Sequence, residues 1–140
     1  MITAARVFSL ANTAALLCWL VLIAFQRRRR VTDAAILTIV TLFALMYAGV
    51  VGARWMGSTG GFSSLASVAA LFSDPWLLLG GWLHYLAFDL LVGRWQAQDA
   101  SARGISPWLV TPCLVLTFMF GPAGWLAYRS LRALHRAPSR

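Results

Sequence analysis

Four apolar runs, each close to the length that crosses a bilayer, constrain this chain more than any other feature: about residues 7–26, 34–53, 76–95 and 108–128. A crossing helix needs roughly 20 mostly apolar residues, because backbone polar groups in hydrocarbon must be satisfied within the segment itself. In a chain of 140 residues, 60% apolar and 11% charged, with a mean hydropathy of +0.73, these runs leave room for no second domain. The expectation is an all-α integral membrane four-helix bundle, one domain over residues 1–140, embedded in a lipid bilayer such as a bacterial inner membrane.

Charge refines this picture. All 12 basic residues are arginine and all 4 acidic residues are aspartate, for a net charge of +8. Such a balance raises nucleic acid as a partner, but the arginines sit at the ends of apolar runs, where topology signals and headgroup contacts place them; no nucleic-acid partner is expected. Arg27 to Arg30 form a block that resists translocation and puts the amino terminus outside. If the four runs alternate, one side carries Arg27–Arg30, Arg94 and Arg103, and the other Arg6, Arg54, Arg129, Arg132, Arg136 and Arg140. On that count the sides tie. The first helix favours both termini outside, the basic tail argues the reverse, and the tie allows insertion both ways as an antiparallel homodimer. Cys18 and Cys113 fall within apolar runs, far from metal or redox spacings, and read as buried structural thiols. The first run lacks a small-residue cleavage site and reads as a retained span.

Between runs two and three, Phe62, Leu65, Val68, Ala69 and Phe72 recur at helical spacing with serines opposite. That predicts a short amphipathic helix lying on the bilayer or folding in as a lid. Asp74 suits an N-cap with Pro75 at the first helical position, which needs no amide donor. Asp33, beside Thr32, reads as a cap of run two. QAQDASARGISP reads as a polar loop carrying Asp99 and Arg103. In run four the ring of Pro122 clashes with the carbonyl of Phe118, so the helix kinks or breaks there.

Run three holds the chemistry. WLHYLAFDLLVGRW places His84 and Asp89 at bilayer depth and Arg94 at its boundary. Its leucines, phenylalanine and valine favour insertion by roughly 4 kcal/mol, whereas a central aspartate costs about 2.5–3.5 kcal/mol, so the helix inserts by a narrow margin. An ionisable group at that cost faces the bundle interior and is a functional candidate. At about 100° per residue His84 and Asp89 point roughly 140° apart, too far for a direct pair on one helix. Tyr85 lies nearer Asp89. Gly80 and Gly81 share the His84 side, where a helix or a flat ligand can approach closely. The blander reading is interhelical glue for Asp89, packing for His84 and interfacial anchoring for Arg94.

LFSDPWLLLGGWLHYLAFDLLVGRW, the following Asp99, the ARGI of the next loop and PCLVLTFMFGPAGWLAY together resemble the abscisic acid deficient 4-like family over about residues 71–128. Plant members of that family are implicated in forming neoxanthin from violaxanthin, an isomerisation in which an acid opens an epoxide while a base removes a proton to leave an allene. The resemblance implies a cofactor-independent isomerase or binder of a polyene or isoprenoid lipid. His84 would be the acid, Asp89 the base or orienting carboxylate, and Arg94 the group that keeps Asp89 ionised. A slot between runs three and four, near Gly80, Gly81, Tyr85, Phe88, Phe118 and Pro122, would take the polyene. Ser106-Pro107 follow ARGI where the family pattern suggests Pro-His. A non-catalytic scaffold or subunit and a small ion-coupled transporter stay open as alternatives; the transporter is weakened because the other apolar runs hold no carboxylate.

Overall fold

The computed structural model describes residues 2–135, and among them every regular element is helical. α1 spans Ala4–Ala24, α2 Arg29–Arg54, α3 Leu65–Leu71, α4 Pro75–Ala102, α5 Pro107–Phe120 and α6 Pro122–Leu134, with one 3-10 turn at Trp55–Gly57. α1, α2 and α4 are long and apolar enough to cross a membrane.

α4 is the axis of the bundle. On one side Leu83, Leu90 and Gly93 pack among Trp19 and Leu22 of α1; Gly93 is required because a Cβ there would run into the Trp19 ring. On another side Gly80 faces α2, where an added Cβ would stand in ordinary contact, 3.6 Å from Val50. The core they enclose, with Trp19, Leu22, Ile36, Leu83, Leu90, Val110 and Leu114, is closely packed and apolar. The Cys18 and Cys113 thiols are both buried and free.

Three boundaries differ from the sequence expectation, each for a local reason. α2 starts within the arginine block, at Arg29, with Arg28 at the N-cap position and no side-chain cap. Asp33 therefore lies inside the helix and caps nothing. α4 runs on through Gln96 to Ala102, so QAQDASA is helical and the loop shrinks to residues 103–106. Helix backbone continues past the apolar stretch because polar residues with good helix propensity do not end it; Gly104, at a φ of +69°, stands just beyond the end. Asp74 and Pro75 behave as expected: Oδ1 of Asp74 accepts from the amides of Trp76 at 2.7 Å and Leu77 at 3.2 Å.

The fourth run is not one crossing helix. Its first part belongs to α5, whose 14 residues from Pro107 to Phe120 make a helix about 21 Å long at 1.5 Å per residue, short of a hydrocarbon core of roughly 30 Å. The Pro122 ring breaks the helix as expected, and Gly121, at φ +42° and ψ −95°, turns the chain through a conformation that side chains disfavour. α6 then folds back along α5. Gly124 packs directly on Thr117, and farther along Tyr128 reaches Asp99 near the end of α4. α5 and α6 are thus a hairpin that enters between residues 103 and 107, turns beside the middle of α4 and returns to the end it came from.

The fold-back breaks the arginine tie. Of the ten arginines described, Arg27–Arg30, Arg94, Arg103, Arg129 and Arg132 gather at the hairpin end, against Arg6 and Arg54 at the other. Arg136 and Arg140 lie outside the described residues. Eight against two is a marked asymmetry of the kind the positive-inside rule reads, in place of the tie that four alternating runs give.

Candidate functional site

α4 carries polar groups on two faces, and they look into different places. His84, Gly81 and Leu77 line a half-open cavity of about 240 Å³ whose other walls are Tyr47, Val51 and Trp55 of the α2 end and Phe62, Leu71 and Phe72 around α3, with Trp55, Phe62 and Phe72 themselves exposed. α3 forms where the amphipathic spacing put it, with Ser64 capping it by accepting from the Ser67 amide. Rather than lying apart, it folds in over the α2–α4 cleft. Gly60 permits this, since a Cβ there would collide with α3 backbone at Leu71. Phe72 sits against Gly81, where an added Cβ would be 3.0 Å from the ring.

His84 is exposed at the rim of the cavity and does not face the bundle interior as expected for a polar group at this depth; its ring stacks on exposed Phe88, outside the lining, with centroids 4.5 Å apart, and tilts toward Tyr47 at 5.8 Å. His84 and Tyr47 are the two lining side chains able to give or take a proton. The rest of the wall is aromatic or aliphatic, as suits a ligand with a flat apolar ring.

Asp89 faces the other way, toward the hairpin turn. A Cβ on Gly121 would stand 2.9 Å from its Oδ1 and 3.2 Å from its Oδ2. Oδ2 is buried without a hydrogen-bond partner. Arg94 does not serve it: its Nε donates to Oδ1 of Asp33 at 2.7 Å, shared with Nε2 of Gln98 at 2.7 Å. The expected Arg94–Asp89 pairing is thereby corrected. A helix position five residues on points about 140° away, and Asp33 of α2 stands on that side.

The slot expected between runs three and four is filled. Gln96 and Thr117, both fully buried, hydrogen-bond across it at 2.9 Å. Next to them Tyr128 donates to Oδ2 of Asp99 at 2.7 Å, and Arg103 and Arg132 approach the same oxygen at 2.9 and 3.5 Å. Small and polar side chains pack α4 closely on the hairpin, whereas the cavity beside His84 lies on another side of α4, under α3.

The expected site residues thus separate into groups. Gly81 and His84 line the cavity, Phe88 stacks on His84 outside it and is exposed, and Gly80 is a helix contact with α2. Tyr85 packs on Trp82 at 5.2 Å and Phe118 on Trp19 at 5.7 Å, while Pro122 is exposed at the turn. Tyr47, Trp55, Phe62 and Phe72 were not singled out as site residues from sequence. Phe62 and Phe72 could have been found from the lid alternative for α3, but Tyr47 carries no local signal, being one aromatic in an apolar run.

A family model described as ABA DEFICIENT 4-like matches residues 6–128. The chain belongs to this family. The match takes in the cavity, Asp89 and the hairpin turn, so all three are features of an ABA DEFICIENT 4-like membrane protein and not of an appended segment. No curated protein and no solved structure matches the chain.

Proposed function

We propose that this ABA DEFICIENT 4-like protein binds an isoprenoid lipid of the carotenoid class, with one cyclic end group in the cavity under α3 and the remaining chain in the bilayer. The observation that carries the reading is the aromatic wall of Tyr47, Trp55, Phe62 and Phe72 around His84. Size supports an end group and not a whole polyene, because about 240 Å³ lies below the roughly 300–1,000 Å³ typical of sites that enclose a drug-sized ligand. A larger groove of about 500 Å³ at the starts of α1 and α4 is lined by Phe8, Leu78, Leu79, Trp82 and other apolar residues, and offers surface without proton chemistry.

A second reading, isomerisation, rests on the Tyr47–His84 approach. Opening an epoxide to an allene requires one group to protonate the oxygen as its C–O bond breaks and another to remove a proton from carbon; the two transfers balance without a cofactor. In this reading His84 and Tyr47 act on the ligand. Asp89, on the far face of α4, positions the hairpin.

Gentle extraction from a pigment-producing host tests binding. The parent protein and Asp89→Asn are expected to retain a polyene absorbing in the visible, and Gly81→Phe, which fills the cavity, to lose it while still melting cooperatively. A colourless parent protein, or a Gly81→Phe variant with undiminished pigment, overturns the proposal. If pigment is bound, His84→Ala and Tyr47→Phe tested for isomer composition separate a catalyst, which loses product, from a binder, which does not change it.

A further inference from the structure

Both carboxylates at the hairpin end are already saturated by arginine. Asp33 is approached by Arg94 at 2.7 Å and Arg29 at 3.6 Å, and Asp99 by Arg103 at 2.9 Å and Arg132 at 3.5 Å. Among the described residues Arg27, Arg28, Arg30 and Arg129 have no carboxylate within ion-pair distance, and all four are exposed. Two of these cations stand beside aromatic rings. The guanidinium of Arg28 lies 6.0 Å from the Phe25 ring centre and that of Arg129 lies 5.6 Å from Trp125, a placement at aromatic residues bordering the apolar helices. Nε2 of Gln26 donates to the Thr111 hydroxyl at 2.8 Å, which ties the arginine loop to the start of α5.

We infer that this end of the bundle is a binding surface for anionic phospholipid headgroups, with Arg27, Arg28, Arg30 and Arg129 contacting phosphodiester oxygens. Eight arginines against two aspartates leave a large cationic surplus there, and a phosphodiester complements guanidinium in both charge and geometry. Lipid is favoured over nucleic acid because strongly apolar side chains share the surface. Trp108 and Leu134, each 86% exposed, stand at the start of α5 and the end of α6, where an acyl region covers them and a nucleic acid does not. The inference concerns the end away from the cavity, so it stands or falls independently of the ligand proposed there.

The test uses the full chain in mixed micelles holding equal amounts of phosphatidylglycerol and phosphatidylcholine, with retained lipids counted by native mass spectrometry. Phosphatidylglycerol is expected to be retained over phosphatidylcholine by about fivefold or more, a preference that shrinks as salt rises because exposed charges are screened. Changing Arg27, Arg28, Arg30 and Arg129 together to Gln should remove the preference, and changing the same four to Lys should keep part of it. Arg6→Gln with Arg54→Gln, at the other end, should leave it intact. Equal retention of the two lipids by the parent protein overturns the inference, as does a preference that survives in a folded four-Gln variant. Displacement of the lipid by millimolar inorganic phosphate or by a short oligonucleotide would also overturn it, assigning the surface to a free anion or a nucleic acid.

Discussion

Asp89 and Arg94 lie five residues apart on α4 and never meet; each is explained by what stands on its own side of the helix. Arg94 has a carboxylate and Asp89 has a glycine turn with one oxygen left over. Removing the two should therefore have opposite results. Arg94→Ala leaves Asp33 without the nearer of its two guanidinium partners and is expected to cost about 1.5–3 kcal/mol, the range for hydrogen bonds to charged groups, seen as a lower melting temperature in detergent. Asp89→Asn removes a group that is costly to charge in hydrocarbon and loses no ion pair, so its melting temperature should equal or exceed that of the parent. A large loss in Asp89→Asn would mean that the carboxyl has a partner essential to folding. The angular separation of His84 and Asp89 was legible in the sequence because helix period alone sets it. The Asp33–Arg94 contact, across 61 residues of chain, was not.

At the scale of elements, local chemistry announced where helices break but not where the chain goes next. Pro122 guarantees a break by its ring and missing amide wherever the segment lies. Turning back requires the Gly121 backbone together with partners on α4 and α5, namely Asp99 for Tyr128 and Thr117 for Gly124. Gly121→Ala should cost roughly 1–3 kcal/mol from backbone strain, plus the clash with Asp89. In the double variant Gly121→Ala, Asp89→Ala the clash is relieved, so thermal denaturation should show less loss than the sum of the two single changes. Strict additivity would place the Asp89 side chain away from the turn. α3 was legible for the opposite reason: its helical spacing depends only on its own residues. Which face it buries was not, since Leu71 is the buried residue while Leu65 and Phe62, on the face that spacing marked, are exposed. The helical continuation of α4 through Asp99 was missed because apolar length reports the thickness of the bilayer, while a helix ends where backbone geometry or capping ends it.

For the whole molecule, the hairpin decides how the arginines divide between the two ends, from which the positive-inside rule predicts an orientation. With Cys18 and Cys113 replaced, single cysteines at Arg28 and Ser130 should be labelled by a membrane-impermeant reagent from one side and a cysteine at Ser63 from the other. Labelling of Ser130 from the Ser63 side would restore a fourth crossing and the tied arginine count. The same fold-back moves the usable cavity. A slot beside run four was the natural expectation for a kinked helix, but close packing of Gln96 on Thr117 and of Asp89 on Gly121 fills that side, and open volume lies instead under α3 and in the groove at the starts of α1 and α4.

The sequence by itself determined that the chain is helical and apolar enough to cross a membrane, where α3 forms, how α4 is capped, and that Pro122 interrupts the last run. These follow from composition, period and covalent geometry, which act over a few residues. Tertiary structure alone decided that the last run returns to the side it entered, that Arg94 belongs to Asp33, and that His84 shares a cavity with Tyr47 while Asp89 meets the hairpin turn. Each of those depends on which helix faces are brought together by packing, and one sequence carries no record of distances between residues far apart along it.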